Sequence, residues 1–399
     1  MTKVLLTEAY LENIADAIRA KNGTQNTYTP EEMSEAISNL EDVGYYFNTT
    51  ISAGTYQSGG YKNVYKNLVP NTVRNAGTSC DYMFDGYTGN NISTLPNFNT
   101  TNVTSMNSMF RQCTNLTTLD ISNFKTNNVT NVNMMFQNCS NLTQITLPQD
   151  FLEIPSYVTA NGLFYGCSHL TSVNLEAIHT GNITNFGQMF YGCSSLVSLD
   201  LSGFDFRKTN NSGYPTAMFS GCTNLESINL NVGANKFPFI SYAFVTSSLF
   251  KGCSKLRAVD LRNFLTDISC AEYMFDGCTL LETINMEGIT LNRISGTSTN
   301  YGAFRYWFRG CTNLKNLTFG TGLGAGLSSS STSNCFNIDL TPCTLLTHDS
   351  LVDFLTKLAD VSDKGAPVAV TTVRLGSTNL AKLTAEEIAI ATNKGWTVS

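Results

Sequence analysis

The sequence has no long hydrophobic run, little charge and no closely paired cysteines, and each absence excludes a class of protein. No apolar stretch approaches the roughly 20 residues that a membrane-spanning helix needs, so no membrane insertion is expected. Lys and Arg number 24 against 30 Asp and Glu, a formal charge of -6, and the few cations are scattered. A phosphate-backbone partner needs a clustered basic footprint, so nucleic acid is not an expected partner. Zinc needs ligands paired at C-x2-4-C spacing, and none is present. No glycine pattern stands between a strand and a helix as a phosphate loop requires, and GTGLGAGL at 320–327 reads as a loop between repeats. No cofactor or metal is therefore expected. The opening MTKVLLTEAYLENIADAIRAK places acids where a signal peptide has its apolar core, and the closing AIATNKGWTVS holds neither an apolar tail nor a basic cluster. Neither Sec-type export nor an anchor is expected.

What the sequence does have is repetition. A Met-Phe pair or close variant ends at Phe84, Phe110, Phe136, Phe164, Phe190, Phe219, Phe250, Phe275 and Phe308, in steps of 26, 26, 28, 26, 29, 31, 25 and 33 residues. Self-similarity at a period near 26 marks one coil of a solenoid, with insertions in the longer steps. Three residues after eight of these Phe stands a cysteine, from Cys113 to Cys311, with Tyr87 in the first coil. An apolar ladder L-x-x-L-x-L follows, as in Leu116, Leu119 and Ile121 or Leu256, Val259 and Leu261. Alternation at the end of that ladder predicts a short strand with one buried face, and stacked coils then build a parallel sheet.

Segments such as FNTTNVTSMNSMFRQCTNLTTLDISNF resemble the BspA-like leucine-rich repeats of bacterial surface and phage proteins, over roughly residues 76–345. The resemblance implies an α/β solenoid and an adhesive role toward host or cell-surface molecules. Around it, residues 1–43 predict a helical hairpin. Leu6, Tyr10, Leu11, Ile14, Ala17 and Ile18 form one apolar stripe, while Thr29, Pro30 and Glu32 begin a second helix. The string LENIADAIRAKNGTQNTYTPEEMSEAI resembles an N-terminal module of tail-region proteins from phages and prophages of Gram-positive bacteria, and implies docking to other tail or assembly proteins. Residues 44–75 read as a β cap on the first coil, because an open solenoid end exposes apolar surface and unpaired edges. After Ile338 and Leu340 resume the ladder once, residues 346–399 predict an α/β cap. In it Thr347 caps one helix, Val368–Leu375 forms a strand, and Thr384 with Glu387 boxes another helix.

Eight cysteines share one column, where neighbours stand roughly 4.8 Å apart with parallel Cβ vectors, so free buried thiols are expected rather than disulfides. Cys80 also reads as core, whereas Cys270, Cys335 and Cys343 fall outside the column. His169 occupies a variable position filled elsewhere by Asn115, Asn141, Ser195, Asn224 and Lys255, and reads as a solvated loop residue. His179 and His348 lie far from any acid or nucleophile that repeats their context, so no triad assembles and no catalysis is expected.

Two surfaces compete as binding sites. The outward column of the strands runs Asp120, Thr146, Asn174, Asp200, Asn229, Asp260, Asn285 and Thr318, a row of short hydrogen-bonding side chains that either reads a carbohydrate or protein segment or merely solvates the sheet. The insertion NVGANKFPFISYAF carries Phe237, Phe239, Tyr242 and Phe244, either a contact loop or rings packed on the flank. Tyr306 stands outside the apolar columns, sharing its place with Tyr82 and Tyr273, and joins the candidates. Three functions stay open. One is a receptor-binding adhesin of a phage or prophage tail, located at the virion tail tip and recognising a cell-surface protein or carbohydrate. Another is a bacterial surface adhesin for host proteins or glycans, cell-surface or secreted by a non-Sec route. The last is a structural spike. A homo-oligomer is compatible with each.

Overall fold

The computed structural model describes residues 74–75, 78–87, 98–210, 215–235, 237, 247–266, 268, 272–291, 304, 306–327, 338–366, 368 and 371–399. The expected hairpin over 1–43, and the expected β cap apart from the strand Arg74–Asn75, lie outside these residues.

Each coil opens on the turn that carries the Phe. The nine rings from Phe84 to Phe308 are buried and stack along the solenoid axis, with neighbouring centroids 5.2 to 6.2 Å apart and planes within 17° of parallel. Stacked rings in register require the backbones behind them to be in register too. Phe110 N donates to Met135 O of the next coil at 2.8 Å, and Phe164 N to Met189 O at 2.9 Å. The cysteine column serves the same end, because a thiol is a small hydrophobe with a weak donor. Cys139 Sγ donates to Phe110 O of the preceding coil at 3.0 Å, and Cys193 Sγ to Phe164 O at 3.1 Å.

Two positions per turn are left-handed. Two residues before the Phe, φ is positive at Tyr82, Ser108, Met134, Gly162, Gln188, Ala217, Ser248, Tyr273 and Tyr306. Two residues after it, φ is positive again, and there the residue is glycine except at Gln112 and Asn138. Left-handed backbone costs a non-glycine residue roughly 1–2 kcal/mol, so glycine relieves the second position. A Cβ on Gly221 would stand 3.4 Å from Gly192 Cα, in ordinary contact, so the backbone conformation and not space is what favours glycine there.

The apolar ladder forms strands of three residues with the middle side chain facing inward. Thr118–Asp120 pairs with Gln144–Thr146, Ser198–Asp200 with Ser227–Asn229, and Ala258–Asp260 with Thr283–Asn285 and then Asn316–Thr318, all parallel. The expected sheet is thus broken into short sheets. In the coil at Cys167 the chain turns into a single 3-10 turn, Leu175–Ala177, instead of a strand.

After the coil of Phe308 the repeat begins once more and is then diverted. Cys343 N bonds Leu340 O at 2.9 Å as Cys311 N bonds Phe308 O at 3.0 Å. Cys343 therefore extends the cysteine column, contrary to the sequence reading, and Leu340 takes the Phe position rather than resuming the strand ladder. At Thr347, whose N still donates to Lys315 O, the chain leaves the repeat for the helix His348–Lys357, with the Thr347 hydroxyl accepting from Ser350 N. Strands Ile338–Asp339, Thr372–Arg374 and Thr397–Val398 form a parallel sheet, and the helix Ala385–Thr392 starts on a capping box of Thr384 and Glu387.

Candidate recognition surface

The strand array has one face turned outward, and the column read from the sequence lies on it. Asp120, Asn174, Asp200, Asn229 and Asp260 are exposed and Asn285 is half-buried. Most of these side chains also do local work. The Oδ1 atoms of Asp120, Asp200 and Asp260 accept from the backbone N–H two residues on, at Ser122, Ser202 and Arg262, over 2.9, 2.9 and 3.1 Å. Asn229 and Asn285 do the same for Asn231 and Glu287 at 3.1 Å. Such Asx turns end a strand sharply, which explains a short Asx side chain at this position. The hydrogen bonds from Ser202 hold the Asp200 carboxyl below the usual range. Asn174 forms no such bond and precedes the 3-10 turn.

Of the aromatic insertion, the expectation that Phe237 is an exposed contact is corrected. Phe237 is 2% exposed and packs in the core. Its ring stacks on Phe206 at 4.1 Å and meets Phe264 and Phe186 edge-on at 5.1 and 6.1 Å. Phe237 is thus no contact residue, because the inserted chain returns one ring to a cluster whose other members come from separate coils. Phe239, Tyr242 and Phe244 lie outside the described residues. Tyr306 belongs to the turn that carries Phe308, not to the strand face. It stacks on Tyr273 at 5.1 Å beneath the Arg309 guanidinium at 4.8 Å, while Arg309 holds Asp276 through two hydrogen bonds of 2.7 and 2.6 Å.

A column beside the strands is the one whose role was missed. Asn141 Nδ2 donates to Thr114 O at 2.7 Å, Asn224 Nδ2 to Ser194 O at 2.8 Å and Asn313 Nδ2 to Thr279 O at 2.6 Å, each bond joining a coil to the one before it. His169 stands in this column and its Nδ1 lies 2.6 Å from Ser140 O. A carbonyl only accepts, so the proton is on Nδ1 and the imidazole replaces the asparagine amide. His169 is exposed, as expected, but it is also a coil-to-coil tie. The sequence had shown the signal, since asparagine recurs at this position.

Chemistry is sparse. Burial pushes the thiols of Cys80, Cys167, Cys222 and Cys343 up to about 12, and all ten described cysteines are free. Contrary to the sequence reading, His348 does meet acids: its Nε2 lies 2.8 Å from Glu387 Oε1 and its Nδ1 3.3 Å from Asp349 Oδ1, and Asp349 and Glu387 raise its pKa. This exposed contact ties the starts of two helices together. Among the described residues, no three His, Cys, Asp or Glu side chains come together as a metal site, and no helix is long and apolar enough to cross a membrane.

On the strand face the two halves differ in charge. Toward the C-terminus an ion-pair ladder crosses the coils, with Glu282 2.8 Å from Lys315 and 3.5 Å from Arg257, while Arg262 pairs with Asp260 at 2.7 Å. Lys315 and Arg262 hold the Glu282 and Asp260 carboxyls below the usual range.

Two family models match parts of the chain. Residues 78–231 and 153–252 match the family described as Mycoplasma protein of unknown function, DUF285. Residues 215–299 and 236–341 match the BspA type leucine rich repeat region. No curated protein matches the chain. Among solved structures, a leucine-rich repeat protein from Bacteroides ovatus is similar over 74% of this chain and 87% of its own, at 18% identity and a TM-score of 0.33. One from Eubacterium ventriosum is similar over 62% and 76%, at 13% identity and a TM-score of 0.20. For the mouse RP105/MD-1 complex the figures are 77% and 52%, at 14% identity and a TM-score of 0.29, so this chain spans about half the length of that one. Residues 215–341, the part that matches the BspA type leucine rich repeat region, stack coil on coil with parallel strands.

Proposed function

We propose that this chain is a non-catalytic adhesin, a receptor-binding protein of a phage or prophage tail that recognises a bacterial cell-surface molecule through the outward face of its strands. The observation that carries the reading is the division of labour between columns. Phe, Cys and Asn side chains hold coil to coil, while the side chains between the ladder positions are exposed or half-buried over successive coils. A rigid, extended and exposed array suits recognition, as stacked repeats create extended binding surfaces. The tail location rests on the N-terminal string alone, and that module is the proposed link to other tail proteins.

The test is binding of labelled protein to intact cells of a Gram-positive panel. A Thr118→Arg, Ser172→Arg, Ser227→Arg, Asn316→Arg variant, altered at four exposed positions, runs beside the parent. Strain-selective binding that the variant loses without loss of thermal stability is the expected result. Binding that survives all four substitutions overturns the face, and no binding to any strain overturns the receptor role in favour of a host-directed adhesin or a structural spike.

A further inference from the structure

The strand face is not uniform, and its N-terminal half has an unusual chemistry. In the segments Thr114–Asp120, Ser140–Thr146, Ser168–Asn174 and Ser194–Asp200, two positions of each seven point inward and five outward. Of those twenty outward side chains only Asp120 and Asp200 are acidic, and none is Lys or Arg. The matching segments of the next four coils, 223–229, 254–260, 279–285 and 312–318, carry Glu226, Lys255, Arg257, Asp260, Glu282 and Lys315.

In both halves some of the hydroxyl and amide protons point along the axis. Thr143 Oγ1 donates to Thr117 O at 2.9 Å, and Thr171 Oγ1 to Thr143 O at 3.2 Å. Ser168 Oγ donates to Ser140 O and Ser194 Oγ to Ser168 O, both at 3.0 Å, and Asn141 does likewise through its amide. A hydroxyl has one proton and two lone pairs. With the proton committed to a carbonyl of the preceding coil, what each oxygen has left for a ligand is acceptor capacity. Asp120 and Asp200 add carboxylate oxygens.

From this we infer that the half-face between Thr114 and Asp200 binds an uncharged polyhydroxylated glycan. The inference rests on the strand face being the contact surface. A surface of neutral hydroxyl and amide groups without Lys or Arg offers no cationic partner to phosphate, sulfate or carboxylate groups, and a ligand with a hydroxyl on nearly every carbon can both donate to it and accept from it. Protein partners are disfavoured, because the side chains that anchor protein interfaces, Trp, Tyr and Arg, are absent from these twenty positions. The one exposed aliphatic side chain among them, Val197 at 50% exposure, offers a small apolar contact for a sugar C–H face.

The test splits the face. Thr118→Arg with Ser172→Arg alters the neutral half, and Ser227→Arg with Asn316→Arg the charged half, all at exposed positions. The probes are an array of neutral, sulfated and sialylated glycans, and cells treated with periodate or with protease. The expected result is binding to neutral glycans, lost about tenfold or more in the first pair only. Binding is also expected to be unchanged between about 50 and 500 mM salt, where exposed charge pairs are progressively screened. On cells, periodate should abolish binding and protease should not. Loss confined to the second pair, preference for anionic glycans, or sensitivity to protease but not periodate overturns the glycan inference and leaves the strand face standing. Cell binding unaffected by either pair or by their combination removes the strand face and this inference with it.

Discussion

Phe237→Ala is the sharpest check on where the insertion goes. The ring is 2% exposed, stacked on Phe206 at 4.1 Å and edge-on to Phe264 at 5.1 Å, so its removal leaves a cavity among rings from different coils that cannot close independently. Phe-to-Ala changes in such cores cost about 3–5 kcal/mol. At about 2–4 °C per kcal/mol, the scale for chains of 150–250 residues, the expected fall in Tm is about 6 to 20 °C. The control is Phe136→Ala, whose ring lies between Phe110 at 5.8 Å and Phe164 at 5.5 Å in the axial stack. Thermal unfolding followed by far-UV circular dichroism should show falls of similar size in the two variants. A loss under about 1 kcal/mol for Phe237→Ala, the usual range of a surface change, beside a full loss for Phe136→Ala would return Phe237 to the surface and refute the packing argument.

Alkaline pH is expected to unfold the array early. In nine described cysteines the thiol pKa is raised above its ordinary value near 9, so above pH 9 the unfolded chain releases protons that the native coils keep. Stability then falls up to roughly tenfold per thiol per pH unit, and unfolding is expected between about pH 9 and 11; stability that stays flat across that window would refute the buried thiol column. Arg309→Met should cost about 1–3 kcal/mol, because it takes two hydrogen bonds from Asp276, whose side chain is 8% exposed although Arg309 itself is 55% exposed, whereas Arg262→Met, which breaks a pair exposed at 44% and 51%, should cost under about 1 kcal/mol. Equal costs by chemical denaturation would remove the distinction between the two pairs.

What the sequence showed was whatever recurs. The Phe column, the cysteine column and the L-x-x-L-x-L ladder each repeat along the array, and their burial follows from alternation alone. Thr347 and Thr384 were legible for another reason, since a helix start is a local chemical signal that needs no partner from elsewhere in the fold. Phe237 was not legible, because an insertion breaks the alignment of columns and leaves a ring with no row to be compared with. Its pocket had left a trace: the phenylalanines of LSGFDF and LRNF, Phe204, Phe206 and Phe264, were already more rings than the repeat requires. The two left-handed positions escaped for lack of geometry, although glycine recurring two residues after the Phe was in plain view.

The composition acquires a different meaning once the coils are stacked. Asn, Ser and Thr supply the polar character of a chain with only 14% charged residues, and as a sequence they read as solvation. In the solenoid many of them tie one coil to the next: Thr130 to Thr104 O, Asn182 to Ile154 O, Ser254 to Thr223 O, and His169 in an asparagine's place. Short uncharged side chains suit that task, because a coil-to-coil reach of a few ångströms leaves no room for Lys or Glu, and an ion pair at the surface adds little. The pitch is thus held by columns other than the outward strand positions at Thr118, Gln144, Ser198 and Ser227, which alternate with the buried ladder. Those positions are where substitutions can change what the surface recognises while the fold stays constant, and the contrast between a neutral and an ion-paired half along one face is an instance of that freedom.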